Sequence, residues 1–128
     1  MEKPLVLIID DEADIRDALS LKLKASGFNV HEANNGEEGV RLANALKPDI
    51  IILDVVMPIM DGVTAFFKMK ENDNLANVKF FFFTGKGDSR ERIIEINRKF
   101  AKGSGAIDFI RKETDLDELV GKLKMFSN

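Results

Sequence analysis

Cysteine is absent from this chain, and so are tryptophan and tyrosine. Without cysteine there is no disulfide, no thiol nucleophile and no cysteine-bound zinc. Histidine occurs once, as His31, which removes the material for a histidine-rich metal site or a catalytic triad. A strong excess of charge is missing too. The 19 Lys+Arg stand against 22 Asp+Glu, a net charge of −3, which gives no electrostatic reason to expect nucleic-acid binding. No apolar run approaches the roughly 20 residues needed to span a bilayer. The N-terminal Met1-Glu2-Lys3-Pro4 runs straight into a short apolar stretch and shows no cleavable signal. The expectation is one cytoplasmic domain, residues 1–128, with no membrane contact.

What is present is a regular alternation of short apolar runs and segments of helical period. Leu5 to Ile9 is a near-continuous apolar run, as expected of a strand covered on both faces. From Ala13 to Ser26, Ile15, Ala18, Leu19 and Leu23 share one helical face, and Gly27 is placed to end the helix. Phe28 to Ala33 is a weaker, more polar strand that belongs at an edge, with His31 exposed on it. Asn35-Gly36 opens a helix to about Leu46, which Pro48 forbids to continue. Asp49 to Asp54 is the second strongly buried strand. Gly62 to about Glu71 is a short helix, and Val78 to Phe83 is a strand with four consecutive phenylalanines. Asp88-x-x-Glu91 reads as a capping box for a helix to about Lys102, Ala106 to Ile110 as a last strand, and Asp115-x-x-Glu118 as the cap of a final helix. Five βα units imply a doubly wound α/β fold with a parallel sheet and helices on both faces.

In open parallel sheets, ligands bind beyond the carboxyl ends of the strands, near the point where strand order reverses. Those ends carry Asp10-Asp11, Asp54, Thr84 and Lys112 in otherwise apolar surroundings. If the order is the flavodoxin-like 2-1-3-4-5, Asp10, Asp11 and Asp54 converge. Such carboxylates repel unless a cation joins them, and magnesium suits a site of one or two carboxylates with a phosphate oxygen. Asp54 could then attack a phosphoryl group, with Lys112 and the Thr84 hydroxyl neutralising its oxygens. Each residue also has a plainer reading. Asp10 or Asp11 could cap the first helix, Asp54 or Thr84-Gly85 could start a turn, and a lone lysine is usually a solvated surface residue.

Asp10-Asp11-Glu12, the run Asp54-Val55-Val56-Met57-Pro58-Ile59-Met60-Asp61-Gly62, Phe83-Thr84-Gly85-Lys86 and Asp108-Phe109-Ile110-Arg111-Lys112 together resemble the response-regulator receiver family over the whole chain. The resemblance implies a two-component phosphorelay module rather than a conventional enzyme. Asp54 would accept a phosphoryl group from a sensor histidine kinase or histidine phosphotransfer protein. Asp10, Asp11, Asp54 and the backbone carbonyl of Val56 would hold Mg2+, and Thr84 and Lys112 would contact the phosphoryl group. Thr84 and Phe109 would form the switch. The fourth helix, fifth strand and fifth helix would face a downstream output protein or a fused effector domain. The last helix ends near Phe126, so no effector domain is expected within these residues.

Two departures stand out. The stretch from Thr84 to Lys112 is about six residues longer than is usual in the family, with Arg98 to Gly105 the place for the excess. Glu113 follows Lys112 where the family usually has proline. Because a cis bond before a non-proline residue costs about 2.5–4 kcal/mol, the Lys112–Glu113 bond is expected to be trans. A haloacid-dehalogenase-type phosphatase would want Asp-x-Asp after the first strand, where this chain has Asp10 and Glu12. A flavin carrier would want a Ser/Thr/Gly-rich loop there, and an acidic loop repels a phosphate. The remaining alternative is a receiver used only as an interaction module and never phosphorylated.

Overall fold

The computed structural model describes residues 3–85 and 107–127. Five parallel strands, β1 (Leu5–Ile9), β2 (Asn29–Ala33), β3 (Ile50–Asp54), β4 (Lys79–Thr84) and β5 (Ile107–Arg111), form one sheet in the order β2-β1-β3-β4-β5. The described helices are α1 (Ala13–Ala25), α2 (Gly36–Leu46), α3 (Gly62–Lys70) and α4 (Leu116–Ser127). The doubly wound fold and its strand order are those expected. The capping box at Asp88, the helix to Lys102, Lys86 and the lengthened Arg98–Gly105 stretch lie outside the described residues.

Strand alternation sorts the core into two layers. Leu7, Ile9, Ile51, Leu53, Phe80 and Phe82 pack with Ala43 of α2 and Val63, Phe66 and Met69 of α3. Val6, Ile8, Ile50, Ile52, Phe81 and Phe83 point the other way, onto Leu19 and Leu23 of α1 and Leu119, Val120 and Leu123 of α4. Period-2 alternation with both faces covered explains why β1 and the runs Ile50–Leu53 of β3 and Phe80–Phe83 of β4 are apolar. Each such side chain contributes about 1.5–3 kcal/mol on leaving water. The phenylalanine run is core on both sides: Phe66 meets Phe80 and Phe82 edge-on at 4.9 and 5.3 Å. β2 alternates between exposed and sheltered residues, and His31 is exposed on it.

Local chemistry sets the helix ends. Gly27 leaves α1 at φ +100°, a conformation glycine enters without penalty. The Asn35 side chain accepts from Glu38 N–H at 2.8 Å to open α2, and Asp61 accepts from Thr64 N–H at 2.9 Å to open α3. Asp115 accepts from Asp117 N–H at 2.8 Å at the start of α4. A short 3-10 turn, Asp73–Leu75, was not legible in the sequence; it exists to bury Leu75. Among the described residues no helix is long and apolar enough to cross a membrane.

Two glycines should respond oppositely to alanine. A Cβ at Gly62 would run into the carbonyl of Asp54, backbone that cannot give way, whereas one at Gly121, on the exposed face of α4, meets nothing. In urea denaturation Gly62→Ala should lose about 2–3 kcal/mol. Gly121→Ala should gain about 0.5–1 kcal/mol.

Candidate functional site

Register alone brings the polar strand ends together. Ile9 pairs with Leu53, so Asp10 and Asp54 emerge side by side. Asp54 pairs with Phe83 and Thr84 with Arg111, which places Thr84 and Lys112 on the same rim. Carboxylate oxygens of Asp10, Asp11 and Asp54 all lie within 4.8 Å of one another. Asp10 and Asp54 are each 1% exposed, while Asp11 is exposed.

One cation serves this cluster among the described residues. Lys112 Nζ lies 3.1 Å from Asp54 Oδ1, 3.7 Å from Asp10 Oδ2 and 3.9 Å from Glu12 Oε1. The Lys112–Glu113 bond is trans, since no described peptide bond is cis, and the lysine still points inward on its flexible stem. Its contacts do not satisfy the cluster: Asp10 Oδ2 and Asp54 Oδ2 are buried without a hydrogen-bond partner.

The charges show the same deficit. Burial pushes the Asp54 carboxyl up to about 7, and the Asp10 charge adds to this; the Lys112 hydrogen bond and charge and the Val56 N–H pull the other way without prevailing. Burial also raises Asp10, against the opposing Glu12 N–H and Lys112. For Lys112, burial pulls downward, but the hydrogen bond to Asp54 and the charges of Asp54, Asp10 and Glu12 together raise it above the ordinary value. A single ammonium is strongly held, yet it cannot offset two buried carboxylates. A hard divalent cation fits such a donor set, two orphaned carboxylate oxygens beside an exposed third carboxylate.

Of the remaining expected residues, Val56 and Thr84 lie at the rim and Phe109 lies deeper, within β5. Neither Asp10 nor Asp11 caps α1; Glu12 occupies that position, and Asp10 Oδ1 accepts from Glu12 N–H at 2.9 Å. Val56 is exposed, with its N–H 3.4 Å from Asp54 Oδ1. Thr84 is half-buried beside a cavity of about 250 Å³ that Gly85, Arg111 and Glu113 also line. Phe109 is half-buried, its ring stacked on Phe82 at 5.7 Å.

Two features escaped the sequence reading. Arg16 donates from Nη1 to the Asp10 carbonyl at 2.7 Å and sits 3.5 Å from Glu32, so it ties the acidic loop to the end of β2. Ile59 adopts φ +72° in a tight turn closed by Met60 N–H to the Pro58 carbonyl at 2.8 Å. A β-branched residue there is strained by on the order of 1–3 kcal/mol.

A family model described as the response regulator receiver domain matches residues 6–124. The DNA-binding dual master transcriptional regulator RpaA of Synechocystis sp. is 31% identical over 121 residues, covering 94% of this chain and 48% of its own length. The transcriptional regulatory protein PrrA of Mycobacterium tuberculosis is 33% identical over 121 residues, with 94% and 48% covered. The chain thus spans about half the length of the curated relatives it matches. Among solved structures, the Vibrio cholerae chemotaxis protein CheY4 superposes with a TM-score of 0.83 at 25% identity, over 97% of this chain and 98% of that one. A CheY-like receiver domain protein from Methanospirillum hungatei does so with a TM-score of 0.81 at 25% identity, over 96% and 93%.

A carboxyl whose folded value lies above its unfolded one stabilises the fold while protonated. That contribution is complete below about 4 and is lost as pH rises through about 7. With metal chelated, Asp54→Asn should therefore be more stable than the parent at pH 8 by roughly 1–3 kcal/mol. Urea titrations should show most of that advantage gone at pH 5.

Proposed function

The chain belongs to the response regulator receiver family, and we propose that its Asp54 is the residue that accepts the phosphoryl group. The observation that carries this reading is a buried carboxylate at a strand end, crowded by Asp10 and held by Lys112 at 3.1 Å. Asp10, Asp11, Asp54 and the Val56 carbonyl would hold Mg2+. When bound, that ion supplies positive charge to the carboxylates and to an incoming phosphoryl oxygen.

The chain's own residues supply the rest. An Asp54 carboxylate oxygen attacks phosphorus, the bond from phosphorus to the donor imidazole nitrogen breaks, and the nitrogen keeps the electron pair. Lys112, fully protonated at neutral pH, neutralises the phosphoryl oxygens as they gather on Asp54. The backbone of Ile59–Gly62 keeps the loop after Asp54 in place, through Gly62 N–H to the Val55 carbonyl at 2.9 Å. Thr84, on the same rim, would donate its hydroxyl to the phosphoryl group. Phe109, on the neighbouring strand, would follow into the space Thr84 leaves.

Receiver domains are signalling domains rather than conventional enzymes. The chemistry we assign is confined to transfer onto the chain's own carboxylate and its later hydrolysis. The domain would work in the cytoplasm, with a sensor histidine kinase or a histidine phosphotransfer protein as the donor. The similar RpaA and PrrA are transcriptional regulators of about twice this length. An output domain fused to the receiver, or a separate output protein meeting β5 and α4, fits that likeness.

The test is intact-mass measurement after incubation with phosphoramidate and Mg2+. One base-labile phosphoryl adduct is expected on the parent and none on Asp54→Asn. An equal adduct on the variant would move the acceptor elsewhere.

A further inference from the structure

The opposite end of the sheet carries the opposite charge. A cavity of about 500 Å³ opens where the strands begin, lined among others by Lys3, Lys47, Lys79, Asn74, Asn77 and Phe126. A second, of about 740 Å³, shares Lys3 and Lys47 with it and adds Lys24 and His31. Among the described residues Asp49 is the one acid lining either cavity, and its Oδ2 accepts from Leu5 N–H at 2.8 Å. Four lysines gathered at one end of a chain of net charge −3 is a local reversal of sign.

Two of these lysines occupy positions that local physics disfavours. Lys79 opens a core strand with only 9% of its surface exposed. Its ammonium lies 3.9 Å from the centre of the Phe126 ring and 5.4 Å from that of Phe81. Burial pulls its pKa below the ordinary lysine value, with Asp108 opposing. Lys47 ends α2 at φ 49°, the left-handed region that favours glycine or asparagine. Residues that break local rules mark functional positions more often than others do, and these two line one cavity.

We propose that this groove binds a small organic anion, a phosphate or carboxylate bearing a flat apolar portion that lies against Phe126. The volume falls within the roughly 300–1,000 Å³ of small-molecule sites. Lysine ammoniums and the Asn74 and Asn77 amides supply the polar anchors. The overall negative charge disfavours an extended polyanion such as DNA. The proposal is independent of the chemistry assigned to Asp54.

The experiment is an amide NMR titration of the full chain, metal-free and at physiological salt, with phenyl phosphate and then inorganic phosphate. Saturable shifts are expected at Lys47, Asn77 and Lys79, with Kd about 1 mM or tighter for phenyl phosphate and weaker binding of inorganic phosphate. Lys47→Asn suits the left-handed backbone, so the fold survives while one charge is removed; affinity should fall roughly three- to tenfold. Lys79→Met, which keeps the apolar stem, should weaken binding as well, and Asp54→Asn should leave it unchanged. Three results would each overturn the proposal: shifts that stay linear through about 10 mM, affinity unaltered in both lysine variants, or a short DNA duplex bound more tightly than phenyl phosphate.

Discussion

Two buried carboxylates share one lysine, and the rest of the functional end depends on that imbalance. Asp10 and Asp54 are held together because their strands are hydrogen-bonded neighbours in fixed register. Neither can withdraw without moving core residues on both faces of the sheet. Lys112 gains from the arrangement while the carboxylates remain under-compensated, as the shifts on the three groups show together. Breaking such a buried set is costly, and leaving it partly satisfied is costly too. The fold therefore stores an electrostatic deficit at the point where a cation and a phosphoryl group would relieve it.

The scaffold tolerates this because its core is large. Val6 to Ile9 of β1 and Ile50 to Leu53 of β3 are all buried, four of these side chains on each face of the sheet, and four phenylalanines fill β4. Against that background a strained Ile59 and a raised Asp54 carboxyl are affordable local losses. The functional loops are fastened at several points. Arg16 holds the Asp10 carbonyl, Asp61 opens α3, and Gly62 lets that helix approach the backbone of Asp54. Strands fixed in register and tethered loops would give the pre-organised geometry that the proposed in-line transfer requires.

Much of this was legible because the strongest signals were also the physically simplest. A strand buried on both faces must be apolar throughout, so β1, β3 and β4 stood out, and the polar residues closing them pointed to the site. The trans bond after Lys112 followed from the cost of cis before Glu113. Arg16 was not legible, because an arginine on an exposed-looking helix face carries no mark of a contact to a carbonyl six residues earlier. The positive φ of Ile59 was hidden as well; nothing in an isoleucine announces a conformation it disfavours. Nothing in the strand Val78 to Phe83 marked Lys79, since its partner ring, Phe126, comes from the far end of the chain.

A divalent cation would repair the charge deficit at Asp54, and proton release on binding measures this directly. Calorimetric Mg2+ titrations in buffers of different ionisation enthalpy give the number of protons lost per ion. With Asp54 near 7 in the metal-free chain, that number should approach about one at pH 6 and fall toward zero above pH 8. It should be much reduced in Asp54→Asn. Mg2+ binding that released no protons at pH 6, or released as many from Asp54→Asn as from the parent, would show that the cation does not act on the Asp54 carboxyl.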